Sequence, residues 1–280
     1  MTATLVVGFV LAGCSPGKVL NLATPTNGAT IYRSIAYGEG RRRTLDVYRP
    51  QGALAAPIAL FFYGGSWQSG DKQTYQFVAS ALASKGIVTI VPDYRLYPEV
   101  HYQGFLADGA KAVRWAKDHA RQYGGDPSKL FIVGHSAGAY IAAMLALDDD
   151  WLGKESLSPA RDLEGFVGIS GPYDFLPLRD KNITAIFSTA KSERLSQPIN
   201  FAGGMNPPTL LLHGDSDNTV YPRNSIRLAA KLNDAGTPVD LKVYPGVGHL
   251  GIIGAMGSPL RFVAPTLNDT ANFILRHSNQ

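Results

Sequence analysis

The pentapeptide Gly134-His135-Ser136-Ala137-Gly138 is the feature that most constrains this chain. It lies between an apolar run, residues 130–133, and a helical segment of small residues, 137–147. A serine held at a strand–turn–helix corner has a strained backbone, so its neighbours in the pattern are glycines. Such a corner presents the serine hydroxyl at a strand end, beside the free N–H groups of a helix start. The pattern therefore predicts a nucleophilic serine at the edge of a sheet.

Short apolar runs and longer helical periods alternate along the chain after residue 43. The predicted strands are residues 44–48, 58–62, 87–91, 130–133, 166–169, 209–213 and 241–244. The predicted helices are residues 106–120, 137–147, 226–235 and 266–276. This alternation predicts an α/β fold, with a mostly parallel, doubly wound sheet and helices on both faces. Ligands of such sheets bind at the carboxyl ends of the strands.

A chain of 280 residues, 45% of them hydrophobic, can bury one sizeable core. We expect residues 31–280 to form a single domain, because α/β folds often reach this length undivided. Residues 172–208 interrupt the alternation and are bounded by prolines, which predicts a small lid or side wall over the site. The net charge is only +4 and Arg41-Arg42-Arg43 is the sole basic run. We interpret this run as a solvated edge of the sheet and expect no nucleic-acid binding.

The single cysteine, Cys14, excludes an intramolecular disulfide and any multi-cysteine metal site. It ends Leu11-Ala12-Gly13-Cys14, and this segment resembles the end of a bacterial lipoprotein signal peptide. The resemblance implies a signal peptide over residues 1–14, lipidation of Cys14 and a membrane-anchored protein of the cell envelope. Residues 15–30 then form a flexible tether. Residues 1–4 lack the positive charge usual for such signals, and without a signal the expected location is the cytoplasm.

A serine hydroxyl becomes a nucleophile near neutral pH when a base and an orienting carboxylate lie beside it. In hydrolases with this corner, the order along the chain is serine, carboxylate, histidine. Asp217 and His249 each follow a predicted strand and come after Ser136 in that order. Of the six histidines, only His249 combines a position after the carboxylate with a loop that follows a strand and begins with glycine. Asp215 lies in the same turn as Asp217 and competes with it for the role of the carboxylate.

A second loop, Tyr63-Gly64-Gly65-Ser66-Trp67, follows a predicted strand. It resembles the His-Gly-Gly-x-Trp oxyanion loop of α/β-hydrolase esterases related to hormone-sensitive lipase, including the feruloyl-esterase-like and arylformamidase branches. The similarity covers roughly residues 44–250 and includes further motifs in the same order. These motifs are Asp93-Tyr94-Arg95-Leu96, Gly124-Gly125-Asp126-Pro127 and His213-Gly214-x-x-Asp217-x-x-Val220.

This resemblance implies the α/β-hydrolase fold and favours Asp217 over Asp215 as the carboxylate. Tyr63 stands where the family usually has histidine. Because a phenol can still donate one hydrogen bond, we expect the loop to stay braced, with an altered shape. The roles implied are Ser136 as nucleophile, Asp217 as orienting acid, His249 as base, and the backbone N–H groups of Gly65, Ser66 and Ala137 as the oxyanion hole.

The activity implied is that of a serine carboxylic-ester hydrolase, which cleaves small acyl or aryl esters through an acyl-enzyme on Ser136. The expected partner is a small-molecule ester, and neither a metal nor a cofactor is expected. Within the same class, an arylformamidase or a peptidase of the prolyl-oligopeptidase type remains open. The alternative from another class is a non-catalytic binding protein on a hydrolase scaffold.

Overall fold

The structure is a computed structural model that describes residues 16–279. The predicted signal peptide and Cys14 lie outside the described residues. Eight strands form one sheet. They are β1 (Ala29–Ala36), β2 (Thr44–Pro50), β3 (Ala56–Phe62), β4 (Val88–Pro92), β5 (Gly125–His135), β6 (Gly165–Ile169), β7 (Thr209–Gly214) and β8 (Val239–Tyr244). All seven predicted strands are present, and β1 was not predicted.

Helices lie on both sides of this sheet. They are α1 (Pro16–Ala23), α2 (Gln76–Ala83), α3 (Tyr102–His119), α4 (Ala137–Leu147), α5 (Asp149–Gly153), α6 (Pro159–Asp162), α7 (Lys181–Phe187), α8 (Arg223–Asp234), α9 (His249–Gly254) and α10 (Thr266–His277). The four predicted helices correspond to α3, α4, α8 and α10. None of the helices within residues 16–279 is both long and apolar enough to cross a bilayer.

The order of the strands in the sheet is β1-β2-β4-β3-β5-β6-β7-β8. Strands β3 to β8 pair in parallel, whereas β1 pairs with β2, and β2 with β4, in antiparallel fashion. The α/β fold with a mostly parallel sheet is therefore confirmed. The central strands β4, β6 and β7 are buried along their whole length, as expected for strands covered by helices on both faces. The edge strand β1 is mostly exposed or half-buried, which explains why no continuous apolar run marked it.

Helix α1 lies within the segment predicted to be a tether, and this part of the prediction differs from the structure. The side chain of Asn21 donates to the carbonyl of Gln73 at 2.7 Å and accepts from the N–H of Phe77 at 2.8 Å. The hydroxyl of Thr24 accepts from the N–H of Ser258 at 3.2 Å. These bonds fasten α1 to the start of α2 and to the loop that follows α9.

The interpretation of Arg41-Arg42-Arg43 as a solvated edge was wrong for two of the three residues. Arg43 forms an ion pair with the fully buried carboxylate of Asp108 at 2.9 Å. Arg42 donates to the carbonyls of Tyr94 and Gly70, at 2.8 and 2.7 Å. Both guanidinium groups fold inward because buried acceptors, contributed by distant parts of the sequence, are available to them.

Candidate active site

Ser136 occupies a tight corner between β5 and α4. Its φ angle is +54°, a strained conformation for a residue with a side chain. The N–H of Ser136 donates to the carbonyl of Ile169 at the end of β6, at 2.9 Å. A Cβ at Gly138 would lie 2.1 Å from the carbonyl oxygen of Phe62, and one at Gly134 would lie 2.3 Å from the oxygen of Gly138. Both glycines are therefore required by the close approach of backbone to backbone.

The structure brings the side chains of Ser136, Asp217 and His249 together, although 81 and 32 residues separate them along the chain (217 − 136 and 249 − 217). The His249 Nε2 atom lies 2.9 Å from Ser136 Oγ, and its Nδ1 atom lies 2.7 Å from Asp217 Oδ2. Each residue follows a strand, namely β5, β7 and β8, at the carboxyl edge of the sheet. One hydroxyl, one imidazole and one carboxylate thus form a continuous chain of hydrogen bonds, which can carry a proton away from the serine.

Asp217 is almost fully buried, and all of its acceptor positions face donors. Its Oδ1 atom accepts from the N–H groups of Thr219 and Val220, at 3.0 and 2.9 Å. Burial raises the pKa of Asp217, but the hydrogen bonds from His213, His249 and Val220 outweigh it and hold the pKa well below the ordinary value. The carboxylate therefore stays charged, as it must to stabilise an imidazolium beside it.

His213, at the end of β7, is a second neighbour of this carboxylate. Its Nε2 atom lies 2.8 Å from the carbonyl of Val220, in the turn that follows the strand. The same atom lies 3.4 Å from Asp217 Oδ2, and Nδ1 lies 2.7 Å from the hydroxyl of Ser225. His213 thus links α8 to the acid, a contact for which the sequence carried no signal beyond the His-Gly motif.

Asp215, the competitor for the carboxylate, lies elsewhere. Its Oδ1 atom accepts from the N–H of Gly246 at 2.7 Å and from the hydroxyl of Ser216 at 3.0 Å. No hydrogen bond among residues 16–279 joins it to His249. Asp215 fastens the loop after β7 to the loop after β8, and this is a structural role.

His135 packs against the base, a contact that sequence reasoning missed. The rings of His135 and His249 lie 4.9 Å apart, and His135 Nε2 lies 3.3 Å from the backbone oxygen of His249. Burial, and next the proximity of His249, lower the pKa of His135 to about 3. The ring is therefore neutral under ordinary conditions and supports the base without competing for its proton.

The loop that follows β3 passes directly over the serine. A Cβ at Gly64 would lie 3.0 Å from the Cβ of Ser136. Gly65, Ser66 and Trp67 all have positive φ angles, of +130°, +51° and +59°. This run turns the backbone sharply, and the carbonyl of Gly65 accepts from the N–H groups of Gln68 and Ser69, both at 3.0 Å.

The N–H groups predicted to form an oxyanion hole belong to this loop and to the start of α4. Ser66 and Ala137 line the same cavity as Ser136, whereas Gly65 is not among the lining residues. Among the hydrogen bonds of the part of the chain described, none uses the backbone N–H of Gly65, Ser66 or Ala137. The N–H groups of Ser66 and Ala137 therefore remain available to a ligand oxygen in that cavity.

Trp67 connects the loop to the serine corner. Its indole N–H donates to the backbone oxygen of Ala137 at 3.1 Å. The ring is 4% exposed, packs edge-on against Tyr140 and Phe187, and also lines the cavity. Trp67 is therefore both part of the core and part of the cavity wall.

Tyr63 braces the other end of the loop. Its phenol donates to Asp93 Oδ1 at 2.8 Å and accepts from Arg42 Nη2 at 2.9 Å. Its ring stacks on that of Tyr94 at 4.8 Å, and the hydroxyl of Tyr94 donates to the Tyr63 carbonyl at 2.7 Å. Burial, and then Tyr94 and Asp93, raise the pKa of Tyr63 well above its usual value, so the phenol keeps its proton. A tyrosine thus supplies a hydrogen-bonded brace at the position for which the sequence resemblance implied a histidine.

The cavity in front of Ser136 has a volume of about 370 Å³. One wall is the oxyanion loop, and the opposite wall comes from the predicted lid or side-wall segment, residues 172–208. Its contributions include Phe175, and Asn182 and Ile183 of α7. Within residues 16–279, no cluster of three or more His, Cys, Asp or Glu side chains is placed to hold a metal ion.

Comparison with known proteins identifies a family and relatives of this chain. The family model named BD-FAE matches residues 45–232. The isoprenylcysteine alpha-carbonyl methylesterase of Arabidopsis thaliana is 29% identical over 252 residues, which are 82% of this chain and 58% of the plant protein. The kynurenine formamidase of Salmo salar is 34% identical over 228 residues, 79% of this chain and 75% of that protein. The chain thus spans about three-fifths of the length of the plant relatives that it matches.

Solved structures show the same fold. The inhibited esterase B of Lactobacillus rhamnosis superimposes with a TM-score of 0.81 at 18% sequence identity. The superposition covers 94% of this chain and 92% of the other.

Proposed function

This chain belongs to the BD-FAE family, and on that premise we propose that it is a serine carboxylic-ester hydrolase acting on small acyl or aryl esters. One observation carries the proposal, namely the unbroken chain of hydrogen bonds from Ser136 through His249 to Asp217. The esterase names of several relatives and the free N–H groups beside the serine support it.

In the proposed reaction, Ser136 Oγ attacks the ester carbonyl while His249 Nε2 accepts the hydroxyl proton. Asp217 stabilises the resulting imidazolium through Nδ1. The carbonyl oxygen becomes an oxyanion, and the N–H groups of Ser66 and Ala137, with that of Gly65, donate to it. The tetrahedral intermediate then collapses, the alcohol leaves with the proton from His249, and an acyl group remains on Ser136. Water releases the acid, with His249 again acting as base.

The test is labelling by a fluorophosphonate probe combined with hydrolysis of p-nitrophenyl butyrate. Ser136→Ala should abolish labelling and lower turnover by about 10⁴-fold or more, because the nucleophile is lost. Ser84→Ala is the matched control, since its hydroxyl bonds only to the carbonyl of Ala81 at the end of α2. A Ser136→Ala protein that folds and keeps turnover within about tenfold of the wild type would refute the assignment.

A second candidate activity is hydrolysis of an N-formyl anilide. The similarity to kynurenine formamidase of Salmo salar favours it, and the same acyl-enzyme chemistry serves both. Measurement of the wild-type kcat/KM for N-formylaniline and for phenyl formate distinguishes the formamidase activity from the esterase activity. A formamide rate that approaches the ester rate assigns the amidase activity, whereas a formamide rate lower by orders of magnitude assigns the esterase.

We also propose that Cys14 is lipidated and anchors the protein in the bacterial cell envelope, as its Leu-Ala-Gly-Cys context suggests. Only Ser15 lies between Cys14 and the start of α1. A lipid on Cys14 would therefore hold the catalytic domain close to the membrane surface. Incorporation of a radiolabelled fatty acid into the wild type, and its loss in Cys14→Ser, is the expected result; an unlabelled wild-type protein in the cytoplasmic fraction would exclude the anchor.

A further inference from the structure

A second and larger cavity adjoins the one that contains Ser136. Its volume is about 820 Å³, against about 370 Å³ for the first. The two cavities share the lining residues Pro172, Phe175, Asp180, Ile183, Thr219 and Val220. A ligand held at Ser136 can therefore extend into the second cavity along a continuous surface.

The charged side chains that line this second cavity are Arg179, Arg223, Arg227, Asp174 and Asp180. Both carboxylates are already engaged. Asp174 Oδ2 accepts from Arg227 Nη1 at 2.7 Å. Asp180 Oδ1 accepts from the N–H groups of Asn182 and Ile183, at 2.8 and 3.0 Å, and so caps the start of α7.

Arg179 and Arg223 are left without a carboxylate. No ion pair within 4.0 Å involves either guanidinium in residues 16–279, whereas Arg227 has its partner. Arg223 lies over the ring of Tyr221, 4.8 Å from its centre. The two arginines come from different segments, one before α7 and the other at the first position of α8. With three arginines against two carboxylates, the lining of the cavity carries a net charge of +1 (3 − 2).

Hydrogen bonds join the segment after β6 to the start of α8, the two sides of this cavity. The Asn224 Oδ1 atom accepts from the N–H groups of Tyr173 and Asp174, both at 2.9 Å, and its Nδ2 atom donates to the carbonyl of Tyr221 at 3.0 Å. Asn224 is almost fully buried. It therefore fixes the start of α8 against the segment after β6, so that both sides of the cavity keep their spacing.

We propose that this cavity, named here the arginine groove, binds an anionic group of the substrate. The inference rests on the proposed ester-hydrolase function and refines it: the natural ester carries a carboxylate or a phosphate away from the bond that is cleaved. Guanidinium groups recognise both anions through paired hydrogen bonds. Arg179 and Arg223 receive the anion, while the scissile carbonyl lies at Ser136.

The experiment compares esters that differ only in that charge. One pair is the monoethyl ester of adipic acid and the monoethyl ester of its monoamide, in which the charge lies on the acyl side. The other pair is the acetate esters of gamma-hydroxybutyrate and of its amide, with the charge on the alcohol side. The kcat/KM of the full chain is measured by titration of released acid, and binding is measured by calorimetry on Ser136→Ala.

We expect the wild type to favour the carboxylate over the amide by roughly fivefold to tenfold in at least one pair. The preference should shrink at high ionic strength, because the arginines are exposed. The double variant Arg179→Gln, Arg223→Gln should lose it. The matched control is Arg276→Gln, an exposed arginine outside the groove that pairs with Asp240, and it should keep the preference.

Equal kcat/KM within both pairs would overturn the groove while leaving the hydrolase intact. A preference that survives in the double variant would overturn it as well. Conversely, no hydrolysis of any ester, together with a binding preference that the double variant loses, would support the groove and refute the proposed function. Replacing the carboxylate by a phosphate monoester distinguishes the two anions, since a larger preference assigns phosphate and a smaller one assigns carboxylate.

Discussion

The two sides of the active-site cavity are built in different ways. On one side, the oxyanion loop and the serine corner are held by buried hydrogen bonds, such as those from Tyr63 to Asp93 and from Trp67 to Ala137. On the other side, the wall formed by residues 172–208 contains α7, of only seven residues, and two shorter 3₁₀ helices. Two of its side chains that line this cavity, Asp180 and Asn182, are exposed.

This difference in construction matches two different requirements, one for the reacting atoms and one for the rest of the substrate. Atoms that must meet within a few tenths of an ångström, as for proton transfer, are fixed by partners that leave them no alternative position. Residues that contact the rest of a substrate need only offer a surface of suitable shape and charge. In the proposed hydrolase, the braced side therefore determines the reaction, and the exposed wall determines which ester is accepted.

If the braced side determines the reaction, then, after the loss of Ser136 itself, the largest loss should follow from a change at the acid. Asp217→Asn should lower kcat by about 10³- to 10⁴-fold, because an amide can present a donor to His249 Nδ1 and favour the wrong tautomer. The measurement is steady-state hydrolysis of p-nitrophenyl butyrate. Asp215→Asn is the matched control and should stay within about threefold, since its Oδ1 atom can still accept from Gly246. Comparable losses in both variants would remove the distinction between the two carboxylates.

The buried His135 offers a test of the same side through stability. Its folded-state pKa of about 3 lies below the value of roughly 6.5 for an unfolded histidine. As the pH falls from 7 to about 4.5, the unfolded chain gains a proton at this residue and the folded chain does not, so this residue costs about 2.5 kcal/mol of stability. The free energy of unfolding should therefore fall by about that amount less in His135→Gln than in the wild type over the same pH interval.

Urea denaturation at the two pH values measures this decline. The control is Ser84→Ala, which removes from an exposed residue a hydroxyl that bonds only to the carbonyl of Ala81, and it should retain the wild-type decline. Equal declines in wild type and His135→Gln would show that the ring becomes protonated within the folded protein.

The brace at Tyr63 should give a smaller loss. Tyr63→Phe removes the hydrogen bond to Asp93 and leaves Arg42 one acceptor short, so the loop loses part of its fixed position. We expect kcat to fall about tenfold, with a lesser change in KM, because oxyanion stabilisation acts in the transition state. Tyr140→Phe is the matched control, since its buried hydroxyl has no partner among the residues described. An unchanged kcat in Tyr63→Phe would mean that the stack on Tyr94 alone holds the loop.

The sequence could predict those features that depend on interactions between nearby residues or between adjoining strands. The serine corner was predictable because its two glycines are required by backbone contacts, one with a residue a few positions away and one with the adjoining strand. The chain order of the triad and the strand ends were likewise marked by local motifs. Arg42 was misinterpreted because its acceptors, Tyr63 and Gly70, lie 21 and 28 residues away and become buried only in the folded chain.

Strand β1 was missed for a different reason, and so was the contact between His213 and Asp217, which are only four residues apart. An edge strand needs no continuous apolar run, because one of its sides is open to solvent. His213 follows its strand pattern whether or not the carboxylate lies beside it. Contacts of this kind are decided by tertiary packing, and one sequence read by local pattern does not contain them.

The smallest effect should come from the exposed wall, where a substitution ought to alter substrate choice and leave the chemistry intact. Ile183 is half-buried on α7 and lines both cavities. Ile183→Ala should change kcat/KM for p-nitrophenyl acetate by less than about threefold and shift the preferred acyl length upward, because the cavity widens. Ile226→Ala, at an exposed position on α8 outside the cavity linings, is the matched control for the loss of the same side chain. A loss in Ile183→Ala that is uniform across acyl lengths and confined to kcat would place α7 among the elements that position the reacting atoms, and the contrast between the two sides would fail there.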